Sequence, residues 1–304
     1  MKWQKLGKIF DISRYEIFND SIGFAKGPQA IIFKNFIRIY FSTVKKDSLG
    51  KLISHVAFID IDKTFKNIIN ISTHEVIPLG NLGCFDEHGI FPFSPIKYGD
   101  KVYAYTSGWS RRESVPIETS IGFAISDDNG ATFNKVGNGP ILTSSINDPF
   151  LVMDGFVKIF NNIFYMHYIS GTEWIKNNSQ SEPERIYKIK YATSKDGINW
   201  QTNNKRIIDE KFEKESQALP TVALFNGKYH MFFCYRKSFD FRKNTANSYR
   251  IGYAYSSDLV NWTRDDSLAG IDVSETGWDS EMVSYPNLFE LNKYIYMLYQ
   301  GNET

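Results

Sequence analysis

An all-β fold of repeated four-stranded antiparallel units is predicted by three features of this sequence. The first is a turn unit that returns at near-regular spacing: an alternating strand, a polar turn, then an aromatic. It occurs at Ser120–Phe133 (SIGFAISDDNGATF), Tyr187–Trp200 (YKIKYATSKDGINW) and Tyr249–Trp262 (YRIGYAYSSDLVNW), with a weaker copy at Ser54–Phe65. Asp196 and Gly197 supply the chemistry of a short strand-to-strand connection, and a unit that recurs at near-fixed spacing is read as a structural repeat. The second is a Pro-led hairpin ahead of each turn unit. The third is that no window of helical length holds an apolar period of 3.6, while an aromatic content of 16% favours strands.

The hairpins follow in order. They are Pro28–Ser42, Pro95–Ser107, Pro149–Ser170, Pro220–Tyr235 and Pro286–Gln300, with tips at Lys34-Asn35, Gly99-Asp100, Asn161-Asn162, Asn226-Gly227 and Asn292. Each Pro is read at the start of its strand, where a missing N–H is tolerated. The first four hairpins are each followed by a turn unit. Five four-stranded units fit a single five-bladed β-propeller over residues 1–304, which manages sheet edges by radial repetition. A pair of β-sandwiches is the alternative; the single repeating unit and the lack of a linker weigh against it. After Trp200 and Trp262 the chain continues as an outer strand. Trp3–Phe10 has the same character, so the N-terminus is expected to supply the outer strand that closes the last blade. The fifth hairpin ends at Gln300, which leaves that blade without a third strand. Lys176–Glu184 and Ser238–Ser248 read as exposed loops.

Composition excludes several classes. With 35 basic and 34 acidic residues the net charge is +1, which argues against binding nucleic acid or a membrane surface through bulk charge. Cys84 and Cys234 form no disulfide framework, and no His/Cys cluster has metal-ligand spacing, so no metal or other cofactor is expected. No segment has the length of a signal peptide's apolar core or of a membrane span, so a cytoplasmic location is expected.

The layout of acidic residue, Pro-led hairpin and SxDGxxW turn resembles the five-bladed propeller glycoside hydrolases: the arabinanase/xylosidase family 43, the invertase and levansucrase families, and the mannoside phosphorylases of family 130. More narrowly, MKWQKLGKIFD, GCFDEHG and DVSETGWDSEMVSYP resemble family-43-like proteins of bacterial polysaccharide gene clusters. The resemblance implies a central funnel with three carboxylates on the first strands of the blades. It implies a carbohydrate-active enzyme acting at a glycosidic bond, on bacterial surface polysaccharide or its precursors.

Carried over by residue, Asn147-Asp148-Pro149 matches the family's Asp-Pro pattern and Glu215 matches its general acid. Where the family has an Asp before the first Pro, this chain has Lys26-Gly27-Pro28. Glycosyl transfer needs one protonated and one ionised carboxyl. Asp148 is therefore assigned to orient and stabilise, Glu215 to donate the proton, and Asp86 or Glu281 to serve as base, with His88 assisting. Each has a plainer reading: Asp148 as a cap on the turn before Pro149, Glu215 as one charge in an exposed acidic run, Asp86-Glu87-His88 as a polar loop. Trp109 and Trp174 are candidate faces for sugar stacking. Lys26, Glu87, Arg111, Arg236 and Tyr285 complete the expected substrate site. The cations point to an anionic sugar or sugar phosphate, so a phosphorylase or transferase, and an inactive sugar-binding module, stand as alternatives.

Overall fold

The computed structural model describes residues 1–18 and 20–302. Among them the only helical segments are three 3₁₀ turns, at Ile12–Arg14, Thr245–Asn247 and Asp266–Leu268. Eighteen strands form five units in chain order. The first holds β1 (Lys26–Ile32), β2 (Ile37–Lys46), β3 (Leu52–Ile61) and β4 (Ile68–Ile71). The second holds β5 (Gly89–Tyr98), β6 (Lys101–Arg111), β7 (Ile117–Ser126) and β8 (Asn134–Lys135). The third holds β9 (Val152–Phe160), β10 (Ile163–Ile175), β11 (Glu184–Ser194) and β12 (Gln201–Thr202). The fourth holds β13 (Ser216–Phe225), β14 (Lys228–Arg236), β15 (Arg250–Ser256) and β16 (Thr263–Arg264), and the fifth β17 (Ser284–Leu291) and β18 (Tyr294–Gln300). Pairing within each unit is antiparallel; one parallel contact, Ser54 with Gly89, joins the first two units into one sheet.

All five expected hairpins form, and their tips explain why. Asn161-Asn162, Asn226-Gly227 and Asn292-Lys293 all adopt positive φ, as a two-residue hairpin turn with matching twist requires. The turn units are also built alike. Ser194 Oγ accepts from the amides of Asp196 and Gly197, and Asp196 Oδ1 accepts from those of Ile198 and Asn199. Ser256 and Asp258 repeat this, and Ser126 with Asp128 a close variant.

The innermost strands pack in cyclic order: β1 on β5, β5 on β9, β9 on β13, β13 on β17, and β17 on β1. Apolar side chains fill the seams between units rather than the middle of one sheet. Tyr40, Phe58 and Phe93 lie in the first seam, Tyr105, Ile121 and Tyr168 in the second, and Ile189, Val222 and Met231 in the third. Phe232, Ile251 and Leu288 fill the fourth, and Ile37, Ile39 and Phe289 the last.

Two expectations are corrected. The prolines do not stand at strand starts. Pro28, Pro220 and Pro286 lie inside the innermost strands at register shifts, where a bulge leaves the absent N–H unneeded; in the second unit the shift carries Pro92, and Pro95 sits mid-strand in register with Ala104. In the third unit the shift falls at Asp154-Gly155, not at Pro149, which precedes β9. The N-terminal segment forms no strand on β18. It lies along residues 268–279 instead, through Trp3 Nε1 to the Ala269 carbonyl at 2.9 Å and Lys5 Nζ to Asp279 at 2.8 Å. A groove of about 1110 Å³, lined partly by Phe10, Tyr296 and Leu298, separates it from β18.

Candidate active site

The bulges decide which side chains meet where the innermost strands converge. The residue at each bulge, just before the Pro or its Gly155 equivalent, is Gly27, Phe91, Asp154, Leu219 or Tyr285. Four of the five have positive φ, between 44° and 63°. Such a backbone in non-Gly residues is held only where the surroundings over-determine it. Phe91 is joined to Pro92 by a cis bond. These residues touch: the Phe91 and Tyr285 rings lie 5.5 Å apart edge to face, and a Cβ on Gly27 would stand 3.0 Å from the Phe91 ring.

Asp154 is the carboxyl at this convergence. It is 3% exposed. Its Oδ2 accepts the Leu219 amide at 2.9 Å, while Oδ1 has no hydrogen-bond partner among the described residues. Burial pushes the Asp154 carboxyl up to about 7, against the pull of the Leu219 amide and the Arg185 charge. Beside it lies an aromatic and cationic cluster, hereafter called the mouth. Tyr249 links Tyr285, Tyr187 and Arg236: its ring is 5.5 Å from that of Tyr285, its hydroxyl is 3.3 Å from that of Tyr187, and it accepts from Arg236 Nε at 3.1 Å. Phe241 packs against the guanidiniums of Arg236, at 3.6 Å, and Arg242, at 4.2 Å. Glu184 lies between the same two arginines, at 3.7 and 3.4 Å. Lys26 begins β1 beside this group. Burial first, and then the Arg242 charge, pull its amine down to about 8. Trp174 pairs with Arg185 across β10 and β11. The two polar segments read as exposed loops thus deliver Glu184, Phe241 and Arg242 to the mouth.

The carboxylates chosen from the sequence have a different place. Asp86 pairs with Lys135 on β8 at 2.5 Å, Asp148 with Lys190 on β11 at 3.1 Å, and Glu215 with Arg264 on β16 at 2.8 Å. Asp279 repeats the pattern with Lys5 of the N-terminal segment at 2.8 Å. In the first three cases an acid just ahead of a unit's innermost strand is clasped by a base from farther out in the same unit; Asp279 takes its base from the N-terminal segment. Asp86, Asp148 and Glu215 are at most 1% exposed, and unlike Asp154 each is tied up in an ion pair. Tyr168 adds a hydroxyl to Asp148 at 3.3 Å, and the Lys211 amide donates to Glu215 Oε2 at 2.6 Å. Glu281 is exposed and stands apart, holding Arg250 through its backbone carbonyl at 3.0 Å.

His88, Glu87, Trp109 and Arg111 do meet, but at the junction of the first two units. His88 stacks on Trp109 at 5.9 Å and lies 3.3 Å from Glu87, and Arg111 is held by Asp47 at 2.8 Å. Burial and the Arg111 charge hold the His88 ring below its ordinary value. Lys26, Trp174, Arg236 and Tyr285 are the expected residues that the mouth brings together.

Asp154, Glu184 and Arg185 were not singled out from the sequence, and for Asp154 a signal existed. Counting back seven residues from the hairpin tips at Lys34, Asn161, Asn226 and Asn292 lands on Gly27, Asp154, Leu219 and Tyr285. Asp148-Pro149 lies outside that spacing. Among the described residues no group of His, Cys, Asp and Glu is arranged to hold a metal ion.

The chain matches no family model. It is 31% identical over 306 residues to Uncharacterized protein Rv1502 of Mycobacterium tuberculosis, covering 99% of this chain and 95% of that one. A 32% match over 81 residues, 26% of this chain, is to a 1,2-beta-oligomannan phosphorylase of Thermoanaerobacter. Among solved structures, a thermostable family-43 glycoside hydrolase superposes with a TM-score of 0.64 at 12% identity, covering 91% of this chain and 94% of that one. The endo-arabinase of Bacteroides thetaiotaomicron does so at 0.63 and 13%, covering 94% and 92%. The chain therefore has the fold of the family-43 and family-32 propeller glycoside hydrolases, and it belongs to the family of the uncharacterised mycobacterial protein Rv1502.

Proposed function

We propose that this chain is a single five-bladed propeller whose axial mouth acts on a glycosidic bond, with Asp154 as the proton donor. The observation that carries the proposal is the Asp154 carboxyl: buried at the convergence of the innermost strands, with one oxygen unpartnered and its proton held up to about 7. A general acid must keep its proton near the working pH, and a buried carboxyl flanked by an ionised one is the usual arrangement. Asp154 takes the role that the sequence alone gave to Glu215. Glu184 is the second carboxyl at the mouth, oriented by two guanidiniums. Phe91 and Trp174 offer aromatic area to the sugar rings. The glycoside hydrolases that share this fold support the carbohydrate reading; the bacterial surface polysaccharide remains part of the proposal.

The test is turnover of a panel of aryl glycosides and oligosaccharides by wild type, Asp154→Asn and Glu184→Gln, each with and without phosphate. Loss of general-acid catalysis should lower kcat by about 10²–10⁴-fold in Asp154→Asn. Wild-type rate should fall as pH rises through about 7, where Asp154 loses its proton. Undiminished turnover in Asp154→Asn would overturn the assignment. Phosphate dependence would select phosphorolysis. A second reading, a sugar-binding propeller without turnover, is favoured by the ion pairs that hold Asp86, Asp148 and Glu215. It predicts saturable glycan binding, equal in wild type and Asp154→Asn, and no product.

A further inference from the structure

We infer that the mouth reads an anionic group on its glycan, a carboxylate or a phosphate ester, through Lys26, Arg185 and Arg242, an inference that rests on the mouth being the glycan site. The charges there do not balance. Four cations, Lys26, Arg185, Arg236 and Arg242, stand around Glu184 and Asp154, and Asp154 is neutral through most of the acid range.

Arg236 is fully committed: it is 1% exposed, donates to Tyr249, Lys237 and Ser238, and stacks on Phe241. The other three are not. The Lys26 ammonium has no carboxylate within ion-pair distance among the described residues, and lies over the Phe24 ring at 4.6 Å. Arg185 buries an Nε that has no hydrogen-bond partner. Its acidic neighbour is Asp154, which carries no charge when protonated. Arg242 shares Glu184 with Arg236 and keeps more than half of its side chain in solvent.

Removing a cation from water without a counter-charge is costly, and the fall of the Lys26 amine toward neutrality reflects that cost. A neutral sugar would not relieve it. A carboxylate or phosphate would, because each presents several acceptor oxygens to a guanidinium fork and an ammonium. Lys26 directly precedes Gly27, the first unit's counterpart of Asp154 at the bulge. A carboxylate there would repel such a ligand; an ammonium attracts it.

The experiment is calorimetric titration with inorganic phosphate, glucose 1-phosphate, glucuronate and glucose, on wild type, Lys26→Met and Arg242→Gln, at pH 7 and pH 9. Both substituted side chains reach solvent, and melting curves check that both variants fold. Charged sugars should bind wild type at least about tenfold tighter than glucose, the margin one charge-assisted contact supplies. That margin should shrink in each variant, and in wild type at pH 9, because Lys26 loses its proton through about pH 8. Preference for glucose 1-phosphate or for glucuronate identifies the anion. Tight binding of inorganic phosphate alone would make phosphate itself a reactant, which also supports the assignment. Glucose binding as tightly as both charged sugars, or charged-sugar affinity unchanged in both variants, would overturn it. Turnover of neutral glycosides beside such a null titration would sink the anion assignment and leave the glycosidic one standing. Charged-sugar affinity without turnover of any glycoside would do the reverse.

Discussion

Asp154 and His167 place opposite demands on folding as pH changes, and both follow from burial without a matching partner. A carboxyl whose folded value is raised from 3.8 to about 7 binds more protons in the folded state than in the unfolded one. Its contribution is present at low pH and is lost as pH rises from about 4 to about 7. His167 is fully buried with neither ring nitrogen hydrogen-bonded among the described residues, and burial pulls it from 6.5 down to about 3. Its neutral ring is compatible with the fold above pH 6.5, and stability is lost as pH falls from there toward 3. Urea midpoints of Asp154→Asn should therefore lack the wild-type decline between pH 4 and 7. Those of His167→Phe should lack part of the acid loss below pH 6.5. Midpoint-versus-pH curves parallel to wild type in both variants would show that neither residue titrates as described. The clasped acids behave differently again. Removing one partner of a buried ion pair costs about 3–5 kcal/mol, and replacing both by apolar groups costs much less. Glu215→Ala should be destabilised on that scale, and the double variant with Arg264→Met less so. A Glu215→Ala protein of wild-type stability would mean that the clasp contributes little.

At the scale of the element, the innermost strands are defined by their bulges and the outer ones by their serine–aspartate turns. The turns also lock neighbouring units together. Tyr40 on β2 donates to the Gly130 carbonyl in the next unit's turn at 2.7 Å, and Tyr105 on β6 repeats this to Gly197 at 3.0 Å. Gly130 has φ +79°, and a Cβ there would collide with the Tyr40 hydroxyl oxygen. Gly130→Ala should lower stability by about 1–3 kcal/mol through backbone strain and the displaced hydroxyl together. Tyr40→Phe in the same background should recover part of that loss, since it removes the colliding atom. A double-mutant cycle that shows simple additivity would refute the shared cause. In the third unit His167 takes the place of these tyrosines. It meets Trp262 edge to face at 5.7 Å, which explains why its nitrogens are left without partners.

Across the whole molecule the seams carry the apolar core, and the N-terminal segment closes the fourth of them. Trp3 packs on Phe232 at 5.5 Å and anchors to Ala269, while Lys5 clasps Asp279. Trp3→Ala should cost about 2 kcal/mol, the lower part of the range for truncating a large core residue, because Trp3 is only half-buried. Thermal unfolding would measure it, and a Tm equal to wild type would show that the segment is dispensable. Among the described residues no helix is long and apolar enough to cross a membrane.

The strands, the five hairpins and the serine–aspartate turns were legible in the sequence because their causes are local. Alternation sets the strand, and Asn, Gly and Ser–Asp pairs set the turn within a few residues. The aromatic weight favoured strands. Lys26 and Arg236 were singled out as cations beside the hairpins and Trp174 as a stacking face, and with Tyr285 they do lie near the convergence. The fate of the acids was not local. Asp86, Asp148 and Glu215 resemble funnel carboxylates by position, yet each meets a base 42 to 49 residues away in sequence, which only the closing of its own unit brings near. Asp154 became the axial carboxyl through a bulge that replaces an X-Pro step with Asp-Gly, and Glu184 and Arg242 reached the mouth on loops without a repeat signature. Which carboxyl keeps its proton is fixed by burial and by neighbours, and those exist only once the innermost strands have converged.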